Sequence, residues 1–305
     1  MRLVESSAEI IREENPFRKI EIAGRTCYKS DSEMNEQTAR KFFNKLKDSQ
    51  HHAMLEHATF CFRVSPDHLW ELRVVDKFLN ITIDEVDGEE RCLVSGNLRA
   101  LNETLEMSLL VALYDIDPQL VYSVSEDSIQ KAIPQMRGIC VPFDVDTHDL
   151  PDWVYKTHKY VTYHLVCDRG VSHEVVRHRP ASYAQESTRY CNYAKDKYGS
   201  EITCVKPAGY DEWDTRKKFV FVQGCEQSEK SYLEMIALGC TPQQARAVLV
   251  NALKTEVIMT ANLKEYGHFF DLRYFGFTGA PHPDMKELST KMYAEMVALY
   301  PCILR

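Results

Sequence analysis

The sequence lacks the cysteine spacing of a metal or redox centre. Ten cysteines occur in 305 residues, but they are spread singly, and no two of them have the spacing of a Cys-x-Cys or Cys-x-x-Cys pair. Zinc ribbons and dithiol redox sites need close pairs, because two thiolates must reach one metal ion or each other. We therefore expect reduced, mostly structural thiols and no bound metal.

Glycine-rich phosphate loops are missing as well. Neither Gly-x-Gly-x-x-Gly nor Gly-x-x-x-x-Gly-Lys occurs, which excludes a Rossmann or P-loop cradle. His173-Glu174 resembles the start of a helical zinc-protease motif, but the next histidine, His178, follows five positions later instead of four. On a helix the two rings would diverge by roughly 140°, so they could not chelate one ion. Any nucleotide must be held by side chains.

An excess of positive charge and long apolar runs are also missing. Acidic residues outnumber basic ones by 45 to 37, giving a net charge of −8. General attraction to nucleic acid or an anionic membrane is therefore not expected. No stretch has the apolar length needed to cross a bilayer, and the first residues lack the order of a secretory signal. These absences predict a cytoplasmic protein.

The apolar periodicities that are present predict an α+β fold, mainly antiparallel sheet flanked by helices. Ala39, Phe42, Phe43 and Leu46 mark one face of a helix within residues 35–52, and strict alternation over residues 58–64 predicts a strand. The long, uniformly apolar strands of a parallel sheet are missing. The further predicted elements are strands at 78–83, 91–94 and 161–166, a helix at 98–113, and loop with short elements at 115–150.

The C-terminal third is predicted to be mainly helical. Thr241, Pro242 and Gln244 combine an N-cap, a first-turn proline and a capping-box partner. The predicted buried positions of this helix are Ala245, Val248, Leu249 and Ala252, and those of a last helix are Leu288, Met292, Met296 and Leu299. Earlier in the chain, ahead of the C-terminal third, a short helix is expected to end near Arg179, because Pro180 follows.

The densest polar constellation lies around Arg177-His178-Arg179, which the short helix is expected to carry in its last turn. Ser182, Gln185, Glu186, Ser187 and Arg189 follow it. Arginine forks match phosphate and pyrimidine oxygens, and hydroxyl groups can fill the remaining acceptors. In an acidic chain this local cluster favours a pocket for a nucleotide phosphate. The alternative is a solvated basic helix end.

Arg177-His178-Arg179, followed after seven residues by Ser187, resembles the signature of the flavin-dependent thymidylate synthases. Residues 172–174 and 182–190 extend the resemblance on both sides. Further blocks match in the family's order at residues 23–30, 55–60, 245–249, 262–264, 268–269 and 273. The blocks cover most of the chain outside residues 65–157, here called the inserted segment. The resemblance implies a single domain over 1–305 that carries this insertion.

The resemblance implies a role for each matched residue. The dUMP site would comprise Glu174, Arg177, Gln185, Glu186, Ser187, Thr188, Arg189, Arg246 and Arg273. The FAD site would comprise His57, Thr59, Arg177, His178, Arg179, Gln185, Asn262, Lys264 and His268. Arg273 and Ser187 would be catalytic. Arg273 would favour ionisation of the uracil ring at N3, whereas Ser187, which lacks a His-Asp partner at recognisable spacing, would be a ligand contact and not a nucleophile.

The implied reaction is the reductive methylation of dUMP to dTMP. The carbon would come from 5,10-methylenetetrahydrofolate and the hydride from FAD reduced by NADPH, without attack by a cysteine, although Cys191 lies close to Arg189. The family assembles as homotetramers whose sites are shared between subunits. Two positions depart from its pattern: Lys264 stands where arginine is common, and Val250 where proline is common. Two other hypotheses stay open: a flavin or nucleotide enzyme acting on another pyrimidine, and a non-catalytic binding or regulatory protein.

Overall fold

The structure is a computed structural model that describes residues 1–30, 33–74, 78–195 and 199–303. Its strands are β1 Arg2–Val4, β2 Ser7–Ile10, β3 Thr59–Val64, β4 Asn80–Val86, β5 Glu89–Asn97, β6 Cys140–Pro142, β7 Tyr160–Asp168, β8 Ser182–Gln185, β9 Thr203–Val205 and β10 Lys254–Asn262. Its α-helices are α1 Pro16–Tyr28, α2 Glu36–Asp48, α3 Leu69–Val74, α4 Leu98–Glu103, α5 Met107–Ile116, α6 Glu126–Met136, α7 Asp152–His158, α8 Arg169–Val175, α9 Thr215–Ala237, α10 Pro242–Ala245, α11 Leu263–Arg273 and α12 Pro283–Leu299. Within these described ranges no helix is both long and apolar enough to pass through a membrane.

The described strands form two four-stranded sheets and one parallel pair, β1 with β9. The strand order is β2-β7-β10-β8 in the first sheet and β4-β5-β3-β6 in the second, and all neighbours in both are antiparallel. The predicted α+β class, with antiparallel sheets and flanking helices, is confirmed.

Strand β10 lies inside the first sheet and was missed in the prediction of a mainly helical C-terminal third. It pairs with β7 from Lys254 opposite Asp168 to Asn262 opposite Tyr160, and with β8 on its other side. Most of its residues are buried, on both faces of the strand. A strand covered on both faces loses the apolar–polar alternation, so its short apolar run cannot be distinguished from a helical segment by periodicity.

Strand β3 lies inside the second sheet, between β5 and β6, and confirms the strand predicted at 58–64. The β4–β5 hairpin turns at Asp87 and Gly88, whose φ angles are 54° and 83°. Positive φ at both central residues is the geometry of a type I′ hairpin turn, and Asp-Gly is a sequence typical of it.

Several predicted helices have different limits. The single helix predicted at 98–113 is divided into α4 and α5, because the chain between them passes through Leu105 with φ 57°. The segment predicted as loop with short elements at 115–150 contains the eleven-residue helix α6, which Ser125 caps and Pro134 does not interrupt. The expected helix in front of Pro180 ends at Val175, so Arg177-His178-Arg179 follows α8 and is not part of its last turn.

The C-terminal elements also need correction. The capping box at Thr241 and Gln244 is present, but the α-helix that it starts ends at Ala245 and continues only as a short 3₁₀ turn. Val248 is 38% exposed, and Leu249 and Ala252 are only partly buried. Helix α12 buries Leu288, Met292 and Met296 as predicted, whereas Leu299 is 39% exposed near its end.

Two large hydrophobic clusters hold these elements together. One contains Phe17, Phe43 and Phe62 together with residues of the inserted segment such as Leu110. The other contains Tyr163, Tyr266, Phe269 and Met292, and it packs the first sheet against α11 and α12. The two sheets thus have separate apolar cores, and polar residues can meet where the sheets adjoin.

Candidate active site

Three of the predicted site residues meet at the ends of two helices. Asp168 caps α8 through a 2.7 Å bond from the Val171 amide, and this helix carries Glu174 in its last turn. Arg273 ends α11. Its Nη1 donates to Glu174 Oε2 at 2.6 Å, and its Nε donates to His178 Nε2 at 3.0 Å. The structure therefore brings Glu174, His178 and Arg273 into one hydrogen-bonded group.

His178 is a neutral member of this group. It is buried, and burial together with the charges of Arg273 and His268 lowers its pKa to about 4. Because Nε2 accepts the bond from Arg273, the remaining ring proton belongs on Nδ1. The edge of the Phe269 ring closes the other side, with 4.7 Å between ring centroids. Because His178 is neutral and accepts this hydrogen bond, it can orient the Arg273 guanidinium without adding a second positive charge beside it.

The loop after β8 is held by the N-terminal part of the chain. The Ser187 amide donates to the Cys27 carbonyl at 3.0 Å, and the Ser187 hydroxyl accepts from the Arg189 amide at 3.3 Å. Gln185 Nε2 donates to the hydroxyls of Ser172, at 2.9 Å, and Thr255. These bonds fix the backbone on which the predicted nucleotide contacts stand.

The predicted cationic residues lie at the surface. Arg246 donates to the Thr188 hydroxyl at 3.2 Å, which links the region after α10 to the loop after β8. The side chains of Arg177, Arg179 and Arg189 are exposed. Exposed guanidinium groups keep their donors available for an anionic ligand.

Glu186 differs from its neighbours in this loop. It is buried and forms an ion pair with Lys254 at 3.0 Å, and it accepts from the Tyr193 hydroxyl at 3.3 Å. Lys254 also binds Glu256, and these two carboxylates outweigh the effect of burial and raise its pKa. Sequence reasoning missed Lys254, which stands at the start of the unrecognised strand β10.

A cavity of about 590 Å³ lies where the two sheets adjoin. Thr59, Arg179 and Asn262, all predicted to contact FAD, line it together with Ser182 and Thr260. Residues of the inserted segment line it as well. Its volume is within the range of small-molecule and cofactor sites.

His57 stands next to this cavity. The residue is fully buried, and its Nδ1 lies 2.9 Å from the hydroxyl of Thr260, a lining residue. Its Nε2 is buried without a hydrogen-bond partner among the residues that the structure describes. Burial and the charge of Lys19 lower its pKa to about 3, so the ring is neutral. A buried polar atom left without a protein partner indicates that a ligand or water completes the site.

The predicted flavin residues on α11 have different surroundings. The Asn262 side chain caps the helix at the Glu265 amide, at 2.9 Å, and donates to the Thr157 carbonyl. Lys264 and His268 are exposed, and the His268 ring centroid lies 6.1 Å from that of His178. The part that Asn262 plays in holding α11 was not apparent from the sequence.

The cysteines do not form an activated thiolate at this site. All ten fall in the described ranges, and none of them is joined in a disulfide. Burial raises the pKa of Cys27 to about 11 and that of Cys167 to about 12. The residues described here contain no group of three or more His, Cys, Asp or Glu side chains placed to hold a metal ion.

Comparisons with known proteins place the chain in a family. The model of the thymidylate synthase complementing proteins, Thy1, matches residues 9–70 and 154–302. A flavin-dependent thymidylate synthase of Pyrococcus furiosus is 29% identical over 67% of this chain and 77% of its own length. One from Geobacter sulfurreducens is 36% identical over 34% of this chain and 43% of its own length.

A solved structure of a UMP/dUMP methylase, PolB, from Streptomyces cacaoi covers 99% of this chain and 95% of its own, with a TM-score of 0.42 and 12% identity. A similarity this low supports no conclusion about the site. The family match is decisive, because it spans more than half of the chain and includes the segments that carry Glu174, His178 and Arg273. The chain belongs to the thymidylate synthase complementing protein family, Thy1.

Proposed function

We propose that this protein is a flavin-dependent thymidylate synthase that converts dUMP to dTMP. The carbon comes from 5,10-methylenetetrahydrofolate, and bound FAD, reduced by NADPH, supplies the hydride. The observation that carries the proposal is the hydrogen-bonded group of Glu174, His178 and Arg273, whose members come from distant parts of the family match. The related proteins of Pyrococcus furiosus and Geobacter sulfurreducens are both named flavin-dependent thymidylate synthases, which supports the same reaction here.

Arg273 orients and activates the pyrimidine. Its guanidinium is fixed by Glu174 and by neutral His178, so its remaining N–H donors can bind a uracil oxygen and stabilise the ring deprotonated at N3. Glu174 balances part of this charge before the nucleotide enters. The group is thus arranged to favour the anionic form of the substrate ring.

The exposed arginines bind the nucleotide phosphate. Arg177, Arg189 and Arg246 offer forked donors, and Ser187 and Thr188 add hydroxyl groups close to the loop backbone. Gln185 lies beside them and bonds to Ser172 and Thr255. The net charge of −8 makes such a local cluster necessary for capturing an anion. Glu186 contributes from inside by holding Lys254 and Tyr193.

The residues around the cavity fit a flavin dinucleotide. The buried Nε2 of His57 has no partner within the described chain, and the walls offer the hydroxyl of Thr59 and the guanidinium of Arg179. Thr59, Arg179 and Asn262 would hold the dinucleotide, with His57, Lys264 and His268 at its margins. Lys264 binds as a point charge, which provides weaker contact than an arginine fork.

We further propose that the protein assembles as a homotetramer in which several subunits complete each site. The exposure of Arg177, Arg179 and Arg189 in one chain supports this arrangement, because a second chain can cover them. Light scattering of the purified protein measures the assembly directly, and a monomer at working concentrations would refute it.

The proposed reaction is tested by isotope tracing. The purified protein should carry flavin absorbance, and with NADPH, 5,10-methylenetetrahydrofolate and dUMP it should form dTMP. When the reaction is run in D2O, so that the exchangeable N5 position of the reduced flavin carries deuterium, deuterium should appear in the dTMP formed. Cytidine nucleotides in the same flavin-oxidation assay should give no turnover. Turnover of these in preference to dUMP would indicate another pyrimidine substrate, and a colourless protein would indicate a non-catalytic role.

A further inference from the structure

We propose that Arg99, in the inserted segment, is a positioning residue that holds the turn carrying His57 in place for the flavin. This turn is the 3₁₀ helix His52–His57 together with Ala58, here called the histidine turn. The inference rests on the proposed function, in which His57 borders the FAD site. It extends that function to a part of the chain that the family model does not match, between residues 70 and 154.

The inserted segment binds the histidine turn on both sides of His57. Arg99 Nη1 donates to Glu56 Oε1 at 3.0 Å. The Leu98 amide donates to the Ala58 carbonyl at 2.8 Å. Glu56 and Ala58 are the immediate chain neighbours of His57, so these two bonds restrict the backbone of the histidine without using either ring nitrogen.

Helix α4, which carries this arginine, is itself firmly held. Asn102 is completely buried, and its Nδ2 donates to the Leu98 and Leu120 carbonyls at 3.0 Å each. Leu98 and Leu101 are buried in the same hydrophobic cluster as Leu55 of the histidine turn. These contacts do not involve the arginine side chain, so its substitution should loosen the turn without unfolding α4.

The stability of α4 alone does not explain the placement of Arg99. The arginine stands in the first turn of this helix and Glu103 is its last residue, so both charges oppose the helix dipole. Arg99 Nε donates to Glu103 Oε1 at 2.7 Å, but a pair four positions apart is more favourable with the acid first. The placement therefore points to the contact outside the helix, with Glu56.

The ion pair lies in the wall of the cavity assigned to the flavin. Arg99 and Glu56 line this cavity together with Thr260. The Thr260 hydroxyl lies 2.9 Å from His57 Nδ1, and the buried Nε2 is the ring atom without a partner among the described residues. A ligand that meets a turn already in place does not have to order it, and such preorganisation strengthens binding.

The first measurement is amide hydrogen exchange on the full-length protein without flavin, followed by mass spectrometry of peptides covering residues 52–58. Arg99→Met keeps the aliphatic stem and loses the charge. Exchange in these peptides should become about threefold to fivefold faster, the ratio expected when one partly exposed ion pair is lost. No cofactor is needed, so this measurement is independent of the proposed function.

Arg137→Met is the matched control. Arg137 also belongs to the inserted segment, and its Nε donates to Asp115 at 2.9 Å. Neither residue of this pair is among the described residues that line the cavity. The control should leave exchange at residues 52–58 and FAD affinity unchanged, and its thermal unfolding midpoint should match that of Arg99→Met.

A double-substitution cycle separates positioning from charge neutralisation. FAD dissociation constants are measured by fluorescence titration for Arg99→Met, for Glu56→Met and for the variant with both changes. All three should be raised about threefold to fivefold, because each variant lacks the same bond. If Arg99 served only to neutralise Glu56, removing both side chains would restore the affinity. If Arg99→Met does not fold by circular dichroism, Glu56→Met removes the bond from the other side.

Unchanged exchange at residues 52–58 in Arg99→Met would overturn the positioning role and leave the proposed function intact. Equal acceleration by Arg137→Met, or restored FAD affinity in the doubly substituted protein, would do the same. An unsubstituted protein that binds no flavin would overturn the proposed function, whereas the exchange comparison would still decide whether Arg99 holds the turn.

Discussion

Arg273 is held by two groups of different character, the carboxylate of Glu174 and the neutral ring of His178. Arg273→Ala should leave FAD bound but lower kcat/KM for dTMP formation by at least about a hundredfold, because a donor that stabilises the developing ring anion is lost. Arg273→Lys should recover little, since an ammonium cannot bind both partners and the substrate. Product chromatography and flavin absorbance give the two readouts. Undiminished dTMP formation by the alanine variant would remove Arg273 from the mechanism.

Cys191 tests whether any thiol acts in the reaction. It is completely buried beside the loop that carries Ser187 and Arg189. Cys191→Ser should fold and keep dTMP formation close to that of the parent protein, because Cys191 is buried in a hydrophobic cluster, where a thiol is a poor nucleophile. Steady-state assays compare the variant with the parent protein. A folded variant without activity would indicate that the Cys191 thiol takes part in the reaction.

Buried neutral histidines should make the fold sensitive to acid. Both ring nitrogens of His158 are hydrogen-bonded, Nε2 with the Thr82 hydroxyl and Nδ1 with the Ser95 hydroxyl, each at 2.7 Å. Burial lowers the pKa of His158 to about 4, although the charge of Asp84 acts in the opposite direction. Its pKa in the unfolded chain is about 6.5, so the unfolded state binds the proton first as the pH falls. This stability contribution is complete above about pH 6.5 and is lost towards pH 4, by about 3 kcal/mol at most for one such shift.

Urea unfolding at several pH values between 4 and 7 measures this dependence. As the pH is lowered, the free energy of unfolding should decrease more steeply in the parent protein than in His158→Gln, which has no titrating ring. Equal slopes in the two proteins would contradict the assignment to His158.

The sequence predicted a set of candidate site residues, but it did not predict that two of them bond to each other. The resemblance implied that Arg273 and Glu174 both contact the nucleotide, whereas the structure shows them bonded to each other across 99 positions of the chain. Such a contact depends on how α8 and α11 pack, which no local pattern contains. The burial of Glu186 against Lys254 was hidden for a related reason, because Lys254 belongs to a strand that periodicity did not detect.

The ring of Phe42 on α2 packs directly against Gly24 on α1. A Cβ at Gly24 would lie 2.3 Å from Phe42 Cε1. Gly24→Ala should therefore lower the free energy of unfolding by about 1–3 kcal/mol, the usual cost of overpacking, despite the better helix propensity of alanine.

Gly224 in α9 is the matched control, since a Cβ there would meet no atom within 4 Å. Gly224→Ala should raise the free energy of unfolding by about 0.5–1 kcal/mol through the same propensity term alone. Denaturant titration of both variants gives the comparison. Effects of the same sign would contradict the packing argument at Gly24.

Elements with one exposed face were predictable from the sequence, whereas burial on both faces hid strand β10. Helix α2 and strand β3 have clear periods, and both lie where these periods place them. Strand β10 is covered on both faces and has no such period. The break between α4 and α5 depends on Leu105, whose positive φ could not be predicted because leucine rarely adopts it. Tertiary packing supplied the information in both cases.

The inserted segment shares a core with the N-terminal helices. Val94, Leu98 and Leu110 belong to the same cluster as Phe17 and Phe43. Deleting residues 79–142 would remove both neighbours of β3 and expose this cluster. We expect the deletion variant to lack cooperative thermal unfolding by calorimetry, whereas the parent protein should show one transition. Independent folding of the shortened chain would contradict the predicted single domain.

The cavity has a thermodynamic consequence for the complete protein. Its walls belong to both sheets, so a cofactor bound there would link the two sheets and oppose any partial unfolding that separates them. The binding free energy of the cofactor would then add to the free energy needed to separate the two sheets. Hydrogen exchange should slow together in β5 and β10 when flavin is added, even though these strands are not bonded to each other in either sheet.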